Sequence, residues 1–109
     1  MTLSLTDSER DIVTNILQTI VPSATVWVFG SRATGSSRKT SDLDLLIDAG
    51  EQLSFLTTGN LREAFSLSRL PYFVDIVDAT STNQEFLDEI KDECMLIWDG
   101  AAHATKTQD

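Results

Sequence analysis

The chain has 109 residues and a formal net charge of −9. That length suits one domain with a single core and leaves no room for a second lobe. The acidity argues against an extended basic surface for duplex or single-stranded nucleic acid, whose binding is dominated by phosphate contacts.

Apolar residues make up 41 % and charged residues 23 %, the balance of an ordinary globular protein. The single Cys94 excludes an intramolecular disulfide and a multi-cysteine zinc site, and a reducing cytoplasm is expected. Acidic Asp7 and Glu9 near the start, with no long apolar run behind them, support neither a signal peptide nor a membrane span. The domain is expected over residues 1–100, followed by a loose tail from Ala101 to Asp109 with little to pack.

Thr6-Asp7-Ser8-Glu9 has the form of a capping box, and Ile12, Val13, Ile16, Leu17 and Ile20 follow at helical spacing until Pro22-Ser23. Thr25 to Phe29 is β-branched and aromatic, a short buried strand. Gly30 offers backbone freedom and close approach to a ligand. Ser31 to Gly35 suits a short helical turn, and Ser36 to Ser41 a loop carrying Arg38 and Lys39. Asp42 to Ile47 is a second strand, with Leu43, Leu45 and Ile47 on one face and Asp42, Asp44, Leu46 and Asp48 on the other.

Asp42 and Asp44 thus project to one side, roughly 6.6 Å apart along the strand. Unit charges ~4 Å apart cost about 4 kcal/mol at a surface-like dielectric. A divalent cation converts that repulsion into coordination, because Mg²⁺ prefers carboxylate oxygens. Asp48 has the same parity but lies about 20 Å from Asp42, too far to share an ion.

After Gly50 a helix is expected between Phe55 and Ser68, with Leu61, Ala64 and Phe65 inward and Gly59-Asn60 weakening its start. Leu70-Pro71 breaks it ahead of a third strand, Tyr72 to Asp78. Asp75 interrupts that apolar strand, and a buried lone carboxylate there would need a partner. Thr82-Asn83-Gln84-Glu85 reads as a second capping box before Phe86, Leu87, Ile90 and Cys94. Met95 to Trp98 suits a short edge strand.

Three motifs fall away on inspection. Gly30 and Gly35 have P-loop spacing, but Ser36-Ser37 replaces the lysine and its Ser/Thr partner. Asp42-x-Asp44 opens like a calcium loop, yet Leu46 and the missing glycine exclude one. Cys94 and His103 are not at metal spacing, and are expected as a core thiol and a tail imidazole.

What remains is a strand, Gly30-Ser31, ten residues, Asp42-x-Asp44 on a strand, then Asp75 on a further strand. This order resembles the DNA polymerase beta-like nucleotidyltransferase superfamily. Gly-Ser-Arg-Ala-x-Gly and Ser-Asp-Leu-Asp-Leu look like its minimal members, from the Thr6 helix to about Trp98. The resemblance implies an α/β (α+β) fold, a small mixed β-sheet with helices packed on it. It further implies that Gly30 and Ser31 hold the nucleotide's triphosphate. Of the nearby cations, Arg38 and Lys39 read as solvated surface charges, and Arg32, beside Ser31, as either a surface charge or a further phosphate contact. Asp42, Asp44 and Asp75 match the metal-binding and catalytic acids, for two Mg²⁺ ions with ATP as substrate. Thr34 and Ser36-Ser37 depart from the charged residues common in the minimal members.

Members this small resemble antitoxins whose partner is a HEPN ribonuclease encoded nearby. The implied activity is transfer of AMP from ATP to a tyrosine of that toxin, with homo- or hetero-oligomers allowed. Two other functions stand beside it: a non-catalytic, nucleotide-binding module that neutralises a HEPN partner by contact, and transfer to a small molecule, which lacks a substrate lobe here.

Overall fold

The computed structural model describes residues 3–100. In chain order these form α1 (Asp7–Ile20), β1 (Thr25–Phe29), α2 (Ser31–Thr34) and β2 (Leu43–Asp48). Then come α3 (Phe55–Leu67), β3 (Val74–Asp78), α4 (Gln84–Ile90) and β4 (Met95–Asp99). The expected tail from Ala101 to Asp109, His103 included, lies outside the described residues.

The four strands make one mixed sheet in the order β3-β2-β1-β4. β1 pairs antiparallel with both β2 and β4, whereas β2 and β3 run parallel, with α3 forming the crossover between them. Parallel neighbours require such a crossover, because no tight turn can return the chain to the same end of the sheet.

Side-chain alternation divides the sheet into two unlike faces. Val26 and Val28 of β1 join Leu43, Leu45 and Ile47 of β2 beneath Val13 and Leu17 of α1 and Leu61 and Phe65 of α3. All three β2 residues are fully buried there. On the other face Phe29, Leu46 and Ile90 form a smaller cluster with Trp27, Val77, Phe86 and Leu87, so α4 covers only part of it. Phe29 and Phe86 meet edge to face at 5.7 Å. The uncovered end of this face carries Asp44 and Asp75.

The capping box on α1 forms as the sequence suggests: Thr6 Oγ1 accepts from Glu9 N–H, and Glu9 Oε1 from Thr6 N–H. The second one does not form. Asn83 caps α4, its Oδ1 accepting from Phe86 N–H at 2.8 Å. Asparagine is a stronger N-cap than threonine, and its use starts the helix one residue later. α3 is continuous through Gly59, which costs about 1 kcal/mol relative to alanine. The Ser54 cap and the buried Leu61 and Phe65 hold it together. Asp42 and Tyr72-Phe73 fall just outside β2 and β3, where the ladder begins with Leu43 opposite Val74.

Candidate active site

Gly30 ends β1 with φ 76° and ψ −156°, a conformation glycine enters without a Cβ penalty. Space makes the same demand, since a Cβ on Gly30 would collide with the Asp44 carboxylate. The chain then turns at once into α2, where the Gly30 carbonyl accepts from Ala33 N–H at 3.0 Å and Thr34 N–H at 3.1 Å. Ser31 opens this turn and is partly exposed.

Asp44 stands opposite Phe29 on one side and opposite Asp75 on the other. Matched residues of neighbouring strands share a face at roughly 4.8 Å, so the two carboxylates are side by side. Asp42, two residues earlier, brings its charge within reach of Asp44. Asp42 and Asp75 are exposed and Asp44 is half-buried. Burial raises the Asp44 pKa first; the charges of Asp75, Asp42 and Glu93 add to it, as does a hydrogen bond with Asp75, reaching about 6. The mid-strand acid of β3 is therefore not a buried lone charge. It is an exposed one, placed beside another of the same sign.

Arg32 goes elsewhere than the sequence suggests. It is 5 % exposed, the one buried charged side chain among the described residues. Its guanidinium donates to the carbonyls of Ser41 at 2.9 Å, Ser4 at 2.7 Å, Lys39 at 3.2 Å and Arg38 at 3.3 Å. It also stacks on the Tyr72 ring at 3.7 Å. Four of its five N–H donors are thus engaged. Arg32 clamps the loop leading into Asp42 and does not present its charge to a phosphate. Burial and the Glu9 carboxylate push the Tyr72 phenol up to about 12, with Arg32 pulling the other way.

Glu93, just after α4, is a site residue that motif reading passes over. Its Oε2 accepts from Gly30 N–H at 2.5 Å. Asp48, by contrast, ends β2, four residues beyond Asp44, where it accepts from Gly50 N–H at 2.9 Å and shapes the next turn. Cys94 packs in the smaller cluster, its pKa raised by burial and by Glu93.

The donors suit a hard divalent cation, being carboxylate oxygens on one face with no cationic side chain among the charges acting on Asp44. As they stand, no three acidic, histidine or cysteine side chains among the described residues are drawn together closely enough to hold an ion. The shared face of Asp44 and Asp75 and the mutual repulsion of the acids fit such an ion in chemistry. No helix among the described residues is long and apolar enough to cross a membrane.

The chain is 47 % identical over 89 residues to the probable protein adenylyltransferase MntA of Haemophilus influenzae, covering 82 % of this chain and 78 % of the relative. A solved toxin–antitoxin structure with AMP-PNP superposes with a TM-score of 0.71 at 22 % identity, over 90 % of this chain and 82 % of that one. A tri-AMPylated Shewanella oneidensis HEPN toxin in complex with its MNT antitoxin gives 0.64 at 20 % identity, over 83 % and 69 %. At those identities the two structures establish the shared fold. The family model described as polymerase beta, nucleotidyltransferase matches residues 12–101. With that match spanning most of its length, the chain belongs to the polymerase beta nucleotidyltransferase family.

Proposed function

We propose that this chain transfers AMP from ATP to a tyrosine hydroxyl of a HEPN toxin and thereby acts as its antitoxin. The observation that carries the proposal is the register of Asp44 with Asp75 beside the Gly30 corner. It is supported by a relative at 47 % identity named a probable protein adenylyltransferase and by likeness to the antitoxin of an AMPylated toxin complex.

In this scheme Gly30 and Ser31 bind the triphosphate through backbone N–H groups and the Ser31 hydroxyl. Asp42, Asp44 and Asp75 are the residues that would hold Mg²⁺. Bound there, Mg²⁺ neutralises phosphate charge and lowers the pKa of the acceptor hydroxyl. The acceptor oxygen forms a bond to the α-phosphorus as the bond to pyrophosphate breaks in line. Asp75, at the exposed edge, orients the acceptor and takes up its proton. The open position of the carboxylates suits an acceptor presented by a second protein, because a macromolecule supplies its own walls.

The test is mass measurement of a co-purified HEPN partner after incubation with ATP and Mg²⁺. Addition of AMP with the native chain, and none with Asp44→Ala, is the expected result. A tight complex without added mass would replace the enzyme with a binding module.

A further inference from the structure

Glu93 reaches the site from a part of the chain remote from both the Gly-Ser and the Asp-x-Asp segments. β4 runs antiparallel to β1 with Met95 opposite Val28. Continued two residues further, that register brings Glu93 opposite Gly30. The backbone is fixed there, because Glu93 N–H donates to Ile90 O at 3.0 Å and closes the turn after α4. The half-buried side chain then places Oε2 2.5 Å from the Gly30 nitrogen. A carboxylate on a backbone N–H at this distance makes a short, charge-assisted hydrogen bond.

We propose that Glu93 is a resident competitor of the nucleotide: its carboxylate occupies the Gly30 amide in the free protein and has to leave before a triphosphate settles there. The proposal rests on the nucleotide-site reading above and adds a control to it. An amide carries one hydrogen, so a carboxylate and a phosphate cannot both take it as a strong linear bond. The two are also of one sign, so the phosphates meet repulsion as well as an occupied donor. Only molecules with Glu93 swung away are competent to bind. Apparent affinity is then reduced by the fraction of time the carboxylate is absent. Glu93 extends from the turn joining α4 to β4, so anything that moves this turn frees or blocks the amide.

Two substitutions separate charge from contact. Glu93→Gln keeps the shape and an acceptor oxygen but removes the charge; Glu93→Ala removes both. Asp92→Asn changes the net charge equally at an exposed neighbour and serves as control. ATP binding in Mg²⁺ is measured by titration calorimetry on the full chain. Both Glu93 variants are expected to tighten binding roughly three- to tenfold, alanine at least as much as glutamine, while Asp92→Asn stays at the native value. The Michaelis constant for ATP should fall alongside.

Unchanged binding in Glu93→Gln would make the contact a structural one and overturn the proposal. Weaker binding would do the same, by showing that Glu93 helps to hold nucleotide or ion. Equal tightening in Asp92→Asn would reduce the effect to net charge. Should Glu93→Ala fail to fold, Glu93→Gln decides alone. If the native chain binds ATP and the Glu93 variants match it, only the competitor role falls; if no form binds ATP, the nucleotide site falls with it.

Discussion

Asp44→Asn should make the metal-free protein more stable at neutral pH and inactive in transfer. Asp44 has its pKa raised from 3.8 to about 6 by burial, by Asp75, Asp42 and Glu93, and by the bond to Asp75. A shift of about two units corresponds to ~3 kcal/mol at 1.36 kcal/mol per unit. Asp44 is only half-buried, so solvent screening removes at least half, leaving roughly 1–1.5 kcal/mol. The sign follows from proton binding. Between pH 4 and 6 the folded state holds a proton that the unfolded state has released, so native stability falls as pH rises through this window. Below it both states are protonated; above it the folded state carries the full repulsion.

Asparagine is neutral throughout and nearly isosteric, so it still fits against Gly30. The gap between variant and native protein should therefore open with pH. In EDTA, thermal unfolding followed by circular dichroism should show little difference near pH 4. At pH 7.5 the variant should melt higher by several degrees, taking roughly 4–8 °C per kcal/mol for a domain of this size. Mg²⁺ should then close the gap by stabilising the native protein alone. A gap of equal size at both pH values, or a less stable variant at pH 7.5, would refute the electrostatic account of the site.

Gly30→Ala should lose transfer activity and about 1–3 kcal/mol of stability through its positive φ and the Asp44 collision, read by partner mass and urea unfolding. Arg32→Lys should cost about 2–4 kcal/mol in urea, because an ammonium can neither span four carbonyls nor stack flat on Tyr72. Full stability with weakened ATP binding would instead return Arg32 to the phosphates. Asp78→Ala should unmoor the connection ahead of α3. Against burial, which pushes its pKa up, bonds from Leu53 and Thr80 N–H and the Thr80 and Ser81 hydroxyls hold the Asp78 carboxyl below its usual range. Its folded pKa being lowered, that stabilisation is present above about pH 4 and fades as pH falls further. The native-minus-variant difference in urea midpoint should shrink accordingly.

Local pattern located the strands and the Asp-x-Asp pair, because alternation and turn residues act over a few positions. Leu43, Leu45 and Ile47 face the core together for that reason, and Asp44 opposes them. The features that pattern could not locate depend on which distant segments meet. Arg32 is long enough to reach several neighbours. Its destination was set by the carbonyls of Ser4 and the Arg38–Ser41 loop, which only the folded chain gathers. Glu93 looks like one more solvated acid in Lys91-Asp92-Glu93 until β4 is laid antiparallel beside β1. That pairing was the available signal, since a short strand ending the domain has few edges to choose from. At α4, two adjacent polar residues both suit a cap, and the stronger acceptor, Asn83, took the position.

The parallel pairing of β2 with β3 makes the acid pair an all-or-nothing feature. Backbone ladders lock neighbouring strands in whole-residue steps, so the meeting of Asp44 and Asp75 cannot drift by fractions. Losing or gaining a single residue inside β3 would present Val74 or Ile76 in place of the acid and silence the molecule outright. Length changes between Gly50 and Pro71, in the crossover, would leave the pair in place. This domain can vary the approach to the acid pair while the spacing of Asp44 and Asp75 stays fixed.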